Sequence, residues 1–159
     1  MVRISDRQFL RHIGIVVSNL DQALRIYCEF LGLEIKAQYA NHSSEYLSRL
    51  VNIKEACIRV AILSLPDNNR IELIEYLSNR KKLRHPMMAN DLGYSHFAIT
   101  VTNITDLYNK SKHFDVRFLS EPLLNPDGSA KVAFAIIMNE YMVELVEVLN
   151  ESARFSGGE

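Results

Sequence analysis

The chain repeats itself, and that restricts its fold more than any other feature. The segment 12-HIGIVVSNL-20 matches 96-HFAITVTNI-104 at a separation of 84 residues. Each starts on a histidine, places a small residue two positions on, alternates apolar side chains and ends on Asn and an aliphatic residue. Likewise 70-RIELIEYL-77 matches 142-MVELVEVL-149 at a separation of 72, aligning Glu72 with Glu144, Leu73 with Leu145, Glu75 with Glu147 and Leu77 with Leu149. Two related modules follow, each opening on a histidine strand and closing on a glutamate strand. The first is twelve residues longer between those points, and 43-SSEYLSRLVNIKEA-56 reads as the insertion, an extra helix with Ser43 or Ser44 as N-cap.

The pattern between these landmarks predicts the remaining elements. In the first module a strand runs over 11–17 and an amphipathic helix over 21–31, ended by Gly32, with a strand near 34–40. A hairpin then joins 58–65 to 70–77 through the turn 66-PDNN-69. The second module predicts a strand at 95–102, a helix at 105–114, a short strand near 116–120, and a hairpin of 131–138 with 141–149. The domain reading is a first module over 9–77, a polar, basic linker over 78–93, a second module over 94–149 and a flexible tail over 150–159.

Strand parity then sorts the side chains. Alternate residues face opposite ways, so His12 shares a face with Gly14 and Val16, and His96 with Ala98 and Thr100. The larger apolar sets, Ile13, Ile15, Val17 and Phe97, Ile99, Val101, face the helices. Glu72 and Glu144 have the parity to join the histidines on the open face, whereas Glu75 and Glu147 share parity with the leucines and read as surface or rim residues. Two His and two Glu, matched in pairs, form a ligand set for one divalent metal ion (Zn, Ni, Co, Mn or Fe), because imidazole and carboxylate both suit such ions. Two carboxylates brought together without a cation are costly.

Composition narrows the partners. The 159 residues are 48% hydrophobic and carry a formal net charge of -1, so nothing global points to nucleic acid or an anionic membrane. No apolar run approaches a membrane span, and the start, MVRISDRQF, is too polar for a signal peptide. Cys28 and Cys57 lack CxxC spacing or a disulfide framework, which favours a reducing, cytoplasmic location.

The segments 12–35, 70–76, 91–104 and 143–148 together resemble the vicinal oxygen chelate superfamily: glyoxalase I, methylmalonyl-CoA epimerase, extradiol dioxygenases, and bleomycin and fosfomycin resistance proteins. The resemblance implies an α+β fold of two βαβββ modules forming an open, cup-shaped mixed sheet with helices on the outside. It places the metal ligands at His12, Glu72, His96 and Glu144. Many members carry a DPDGN-like turn before the last strand. Here 139-NEYM-142 occupies that place and 126-PDG-128 lies earlier.

The activity implied first is a metal-dependent lyase, isomerase or epimerase that removes a proton alpha to a chelated carbonyl of a small oxygenated or thioester substrate. Glu144 is the first candidate base, Glu72 the second and Glu45 the third. The alternatives are an Fe(II) extradiol-type dioxygenase using His12, His96 and Glu144, or a non-catalytic drug-binding protein. In 79-NRKKLRHP-86 the residues Arg80, Lys81, Lys82, Arg84 and His85 read either as a solvated loop or as a hold for an anionic CoA or glutathione handle. Tyr39, Tyr46, Tyr76 and Tyr94 either line a pocket or pack. A homodimer is the expected assembly, by family resemblance and because exposed sheet edges favour one.

Overall fold

A computed structural model describes residues 10–66, 69–81, 88–93 and 96–150. The chain divides into two units. The first takes in the described residues up to Leu24 and Gly32–Lys81; the second takes in Arg25–Leu31 and the described residues beyond Lys81. The predicted turn at 66–69 lies partly outside the described residues, as do most of the basic linker and the tail beyond Asn150.

The first module comprises β1 (Ile13–Val16), α1 (Leu20–Leu24, continuing as a π-helical turn over Arg25–Phe30), β2 (Glu34–Ser43), α2 (Glu45–Val51), β3 (Cys57–Ser64) and β4 (Arg70–Tyr76). Its sheet has the order β1-β4-β3-β2. β1 and β4 run parallel, and the other two pairings are antiparallel. A parallel pair needs a crossover connection, and α1 belongs to it. The chain leaves the helical segment near Gly32, whose φ of +75° is a left-handed conformation that glycine adopts without a Cβ penalty.

Parity works as the sequence predicts. Ile15, Ile71, Leu73, Ala61 and Leu63 are buried on one face together with Leu20 and Ala23 of α1. On the other face Gly14 and Val16 are exposed, and Glu72 is half-buried. Register explains this, since Gly14 pairs with Glu72 and Ile15 with Leu73. The insertion is the helix α2, and it does not join α1. Leu47 of α2 and Ala56 cluster with Ile58 and Val60, which pair with Tyr76 and Ile74 and so share the open face with Glu72. One helix therefore covers part of the face that the sequence leaves open.

The second module comprises β5 (His96–Thr100), α3 (Ile104–Lys110, followed by a 3₁₀ turn, Ser111–His113), β6 (Val116–Phe118), β7 (Leu123–Leu124), β8 (Ala130–Ile137) and β9 (Tyr141–Val148). Its strand order is β5-β9-β8-β6, with the two-residue β7 pairing on β8. β5 and β9 are parallel, with Ala98 opposite Glu144, the same register as Gly14 opposite Glu72. Ile99, Ile104, Ala133, Ala135, Val143 and Leu145 are buried. The Arg25–Leu31 segment contributes Phe30, whose ring lies 5.2 Å from that of Phe114. It also contributes Tyr27, fully buried, whose hydroxyl has no hydrogen-bond partner among the described residues. Burial, then the neighbouring Tyr141 and Glu140, push that phenol well above its ordinary range.

Candidate metal-binding pairs

Each module ends up with one imidazole against one carboxylate. His12 stands immediately before β1, and its Nε2 lies 3.2 Å from Oε2 of Glu72. His96 opens β5, and its Nε2 lies 3.4 Å from Oε2 of Glu144. The two pairs match in exposure as well, at 45% and 26% for the first and 44% and 25% for the second. The cause is the shared register. A histidine two residues ahead of the small residue opposite the glutamate points the same way, on the neighbouring strand. In the second pair the Phe134 ring meets the His96 imidazole edge-on at 4.9 Å. Phe134 stands opposite Glu144, the place that Ile62 takes opposite Glu72.

These separations fit two donors on one cation. Metal–nitrogen and metal–oxygen bonds of about 2.1 Å set adjacent octahedral donors about 3.0 Å apart and tetrahedral ones about 3.4 Å apart. Among the described residues no group of three or more His, Cys, Asp or Glu side chains stands together. The donors come as one pair in each unit.

Glu75 departs from the surface or rim position that the sequence predicts, whereas Glu147 is half-buried near the end of β9 and keeps to the rim. Glu75 is buried, and its carboxylate accepts from the backbone N–H of Leu20 at the start of α1 (3.3 Å), from Arg59 (3.1 Å) and from Arg80 (3.0 Å). Glu147 accepts from the N–H groups of Asn103 and Ile104, at 3.1 and 3.2 Å, at the start of α3. Their parity with the leucines aims them at the helix-covered face, where orphan N–H groups at a helix start need an acceptor. The repeated asparagines complete the caps: Asn19 accepts from Gln22 N–H at 2.9 Å and Asn103 from Asp106 N–H at 3.1 Å.

The remaining candidates scatter. Glu45 is exposed in the first turn of α2 and lines surface depressions with Ser44 and Ser48 on one side and Arg49 and Leu50 on the other. Arg80 is spent on Glu75 and on the carbonyls of Tyr76 and Ser18. Lys82, Arg84, His85 and Tyr94 lie outside the described residues. Cys28 and Cys57 are free thiols, and burial pushes the Cys28 thiol up, with Glu29 adding to it. Tyr39, Tyr46 and Tyr76 line a pocket that also contains Glu72. His42, which the sequence reading passes over, lines it too. Its signal was there to find, in an imidazole beside the insertion and between two of the noted tyrosines.

A profile described as the Glyoxalase/Bleomycin resistance protein/Dioxygenase superfamily matches residues 11–134. The chain belongs to that superfamily. Members commonly bind a divalent metal, and they include enzymes as well as proteins that do not catalyse. The chain is 27% identical over 123 residues to a 2-epi-5-epi-valiolone epimerase from Actinomyces sp, covering 75% of this chain and 66% of that protein. It therefore spans just under two-thirds of that relative's length. A glyoxalase family protein from Bacillus cereus has the same fold, with a TM-score of 0.81 at 24% identity over 93% of this chain and 100% of that one. The trypanothione-dependent glyoxalase I of Leishmania major gives 0.61 at 21% identity over 89% and 87%. No helix among the described residues is long and apolar enough to cross a membrane.

Proposed function

We propose that this superfamily member is a metal-dependent isomerase, epimerase or lyase, with His12, Glu72, His96 and Glu144 as the donors for one divalent ion. The observation that carries the reading is the duplicated His–Glu pair, at 3.2 and 3.4 Å with matched exposure. Each glutamate has a histidine at donor distance, which favours four donors over a two-histidine, one-carboxylate dioxygenase site that leaves one glutamate over. The ion, when bound, supplies Lewis acidity that polarises the carbonyl of a substrate chelated through neighbouring oxygens. The imidazoles hold their places at the strand heads, and the half-exposed carboxylates keep room for a substrate. Glu144 takes the alpha-proton on its free carboxylate oxygen, with Glu72 and then Glu45 as the next candidates. A homodimer and a reducing, cytoplasmic setting complete the proposal, since β2 leaves a ten-residue sheet edge and both thiols are free. An anionic CoA or glutathione handle remains part of it only through basic residues other than Arg80.

The test is metal analysis of anaerobically purified protein together with solvent exchange of a substrate alpha-proton. One ion per chain and oxygen-independent exchange are expected, with exchange lost in Glu144→Gln. Undiminished exchange in that variant moves the base to Glu72 or Glu45. Fe(II)-dependent oxygen uptake that survives Glu72→Ala replaces the isomerase with the dioxygenase.

A further inference from the structure

The open face of the first module carries a pocket walled by α2, a helix that the second module lacks. The pocket has a volume of about 400 Å³ and lies between the sheet and α2, at the small end of the range for ligand sites. Its walls are aliphatic, with Leu50 and Val60 among them, and its polar groups are Tyr39, His42, Tyr46, Tyr76 and Glu72. Among the described residues the lining contains no lysine or arginine, and Glu72 is its one carboxylate.

The pocket exists because α2 is firmly seated. Ser44 caps the helix, accepting from Leu47 N–H at 3.0 Å. Ser48 ties it to the following loop by accepting from Ala56 N–H at 3.0 Å. Asn52 closes the other end in a left-handed conformation, and Leu47 packs on Ile58 and Val60. The twelve extra residues by which the first module exceeds the second fall in this region.

We propose that this pocket binds the body of the substrate, and that it selects an uncharged ring bearing hydroxyl or carbonyl groups over an anionic ligand. One ring face packs on the aliphatic wall, while the oxygens meet the tyrosine hydroxyls and the His42 imidazole, which can donate or accept. This deepens the isomerase reading by assigning its substrate class, and α2 is the element that sets it.

The experiment uses two probes that differ in charge, a vicinal hydroxycyclohexanone and the corresponding hydroxycyclohexanecarboxylate. Each is titrated into the chelator-treated, metal-free protein and followed by the methyl resonances of Leu47, Leu50, Val60 and Ile74. The neutral probe should shift these methyls and bind about tenfold more tightly than the carboxylate. Leu50→Lys places a cation in the lining at a position 65% exposed, so the fold tolerates it, and should narrow that ratio about tenfold. Equal or tighter binding of the carboxylate by the unmodified protein overturns the proposal. So does an unchanged ratio in Leu50→Lys, or the absence of shifts at these methyls. Because no metal is present, failure of the metal reading leaves this result untouched, and failure here leaves metal binding untouched.

Discussion

The two modules share a frame and differ in what is attached to it. In both, an asparagine and a glutamate from the last strand cap the helix after the histidine strand, and in both the other glutamate faces that histidine. The differences lie around these fixed points. Arg59 is opposite Glu75 and bonds it, whereas Lys131 takes the place opposite Glu147. Asp21 pairs with Arg59, but Thr105 occupies the repeat position of Asp21. The first module alone carries α2. The His–Glu geometry is thus symmetric across the repeat, while the arginine network on Glu75 and the helix α2 belong to one side.

The largest expected effect tests the symmetric part. If the two pairs serve one ion, His12→Ala and His96→Ala should each take bound metal from one ion per chain to nearly none, with the fold retained, because both imidazoles are nearly half exposed. Metal analysis after dialysis reads this directly. A drop to half in each variant means that each module holds its own ion, and full occupancy in His96→Ala removes that residue from the ligand set. Unfolding of the metal-free protein makes the site structural.

Next in size is the asymmetry at the helix caps. Glu75→Ala leaves Arg59, Arg80 and the Leu20 N–H around a buried gap and should cost about 3 kcal/mol, because breaking a buried ionic network strands its partners. Glu147→Ala removes an acceptor from two backbone N–H groups only and should cost about 1 kcal/mol. Urea unfolding of both variants gives the ratio. Equal losses mean that the arginines add nothing beyond the shared cap.

Most of this frame was legible in sequence because it depends on parity and on the repeat. Most strand ends differ from expectation by a residue or two and β2 runs three residues further, while Ser44, one of the two expected caps, caps α2. The two-residue β7 was not foreseen, being too short to show a period. The glutamate caps escaped for a different reason. Alternation placed Glu75 on the leucine face, but only tertiary structure brings Arg59, Arg80 and a helix start to it, and a lone carboxylate among leucines otherwise reads as a strand end. The position of α2 was likewise hidden, since an amphipathic helix does not record which face of a sheet it will cover.

A smaller effect concerns α2 itself. Ser44→Ala removes the acceptor for the Leu47 N–H and should cost about 1 kcal/mol. Because the second module has no counterpart to α2, the loss should be local. Amide hydrogen exchange at Leu47 and Ser48 should quicken about fivefold, while the amides of β5 and β9 keep their rates. Uniform acceleration across both modules means that α2 opens only when the whole chain unfolds.

The smallest effect separates Asp21 from Thr105. Arg59 donates to both Asp21 oxygens, at 3.0 and 2.6 Å, and holds the carboxyl below its ordinary value of 3.8. A folded-state value below the unfolded one means that the ion pair stabilises above the unfolded value and is lost as pH falls through the folded one. The Asp21 side chain is 72% exposed, so screening keeps the contribution small. Asp21→Asn should therefore melt slightly below the parent at neutral pH, and the gap should close as pH drops below 3.8. Thr105→Ala, at the matching place in the second module, should show no such pH-dependent gap. If the Asp21→Asn gap persists at low pH, the side chain acts through packing or the helix start rather than through its charge.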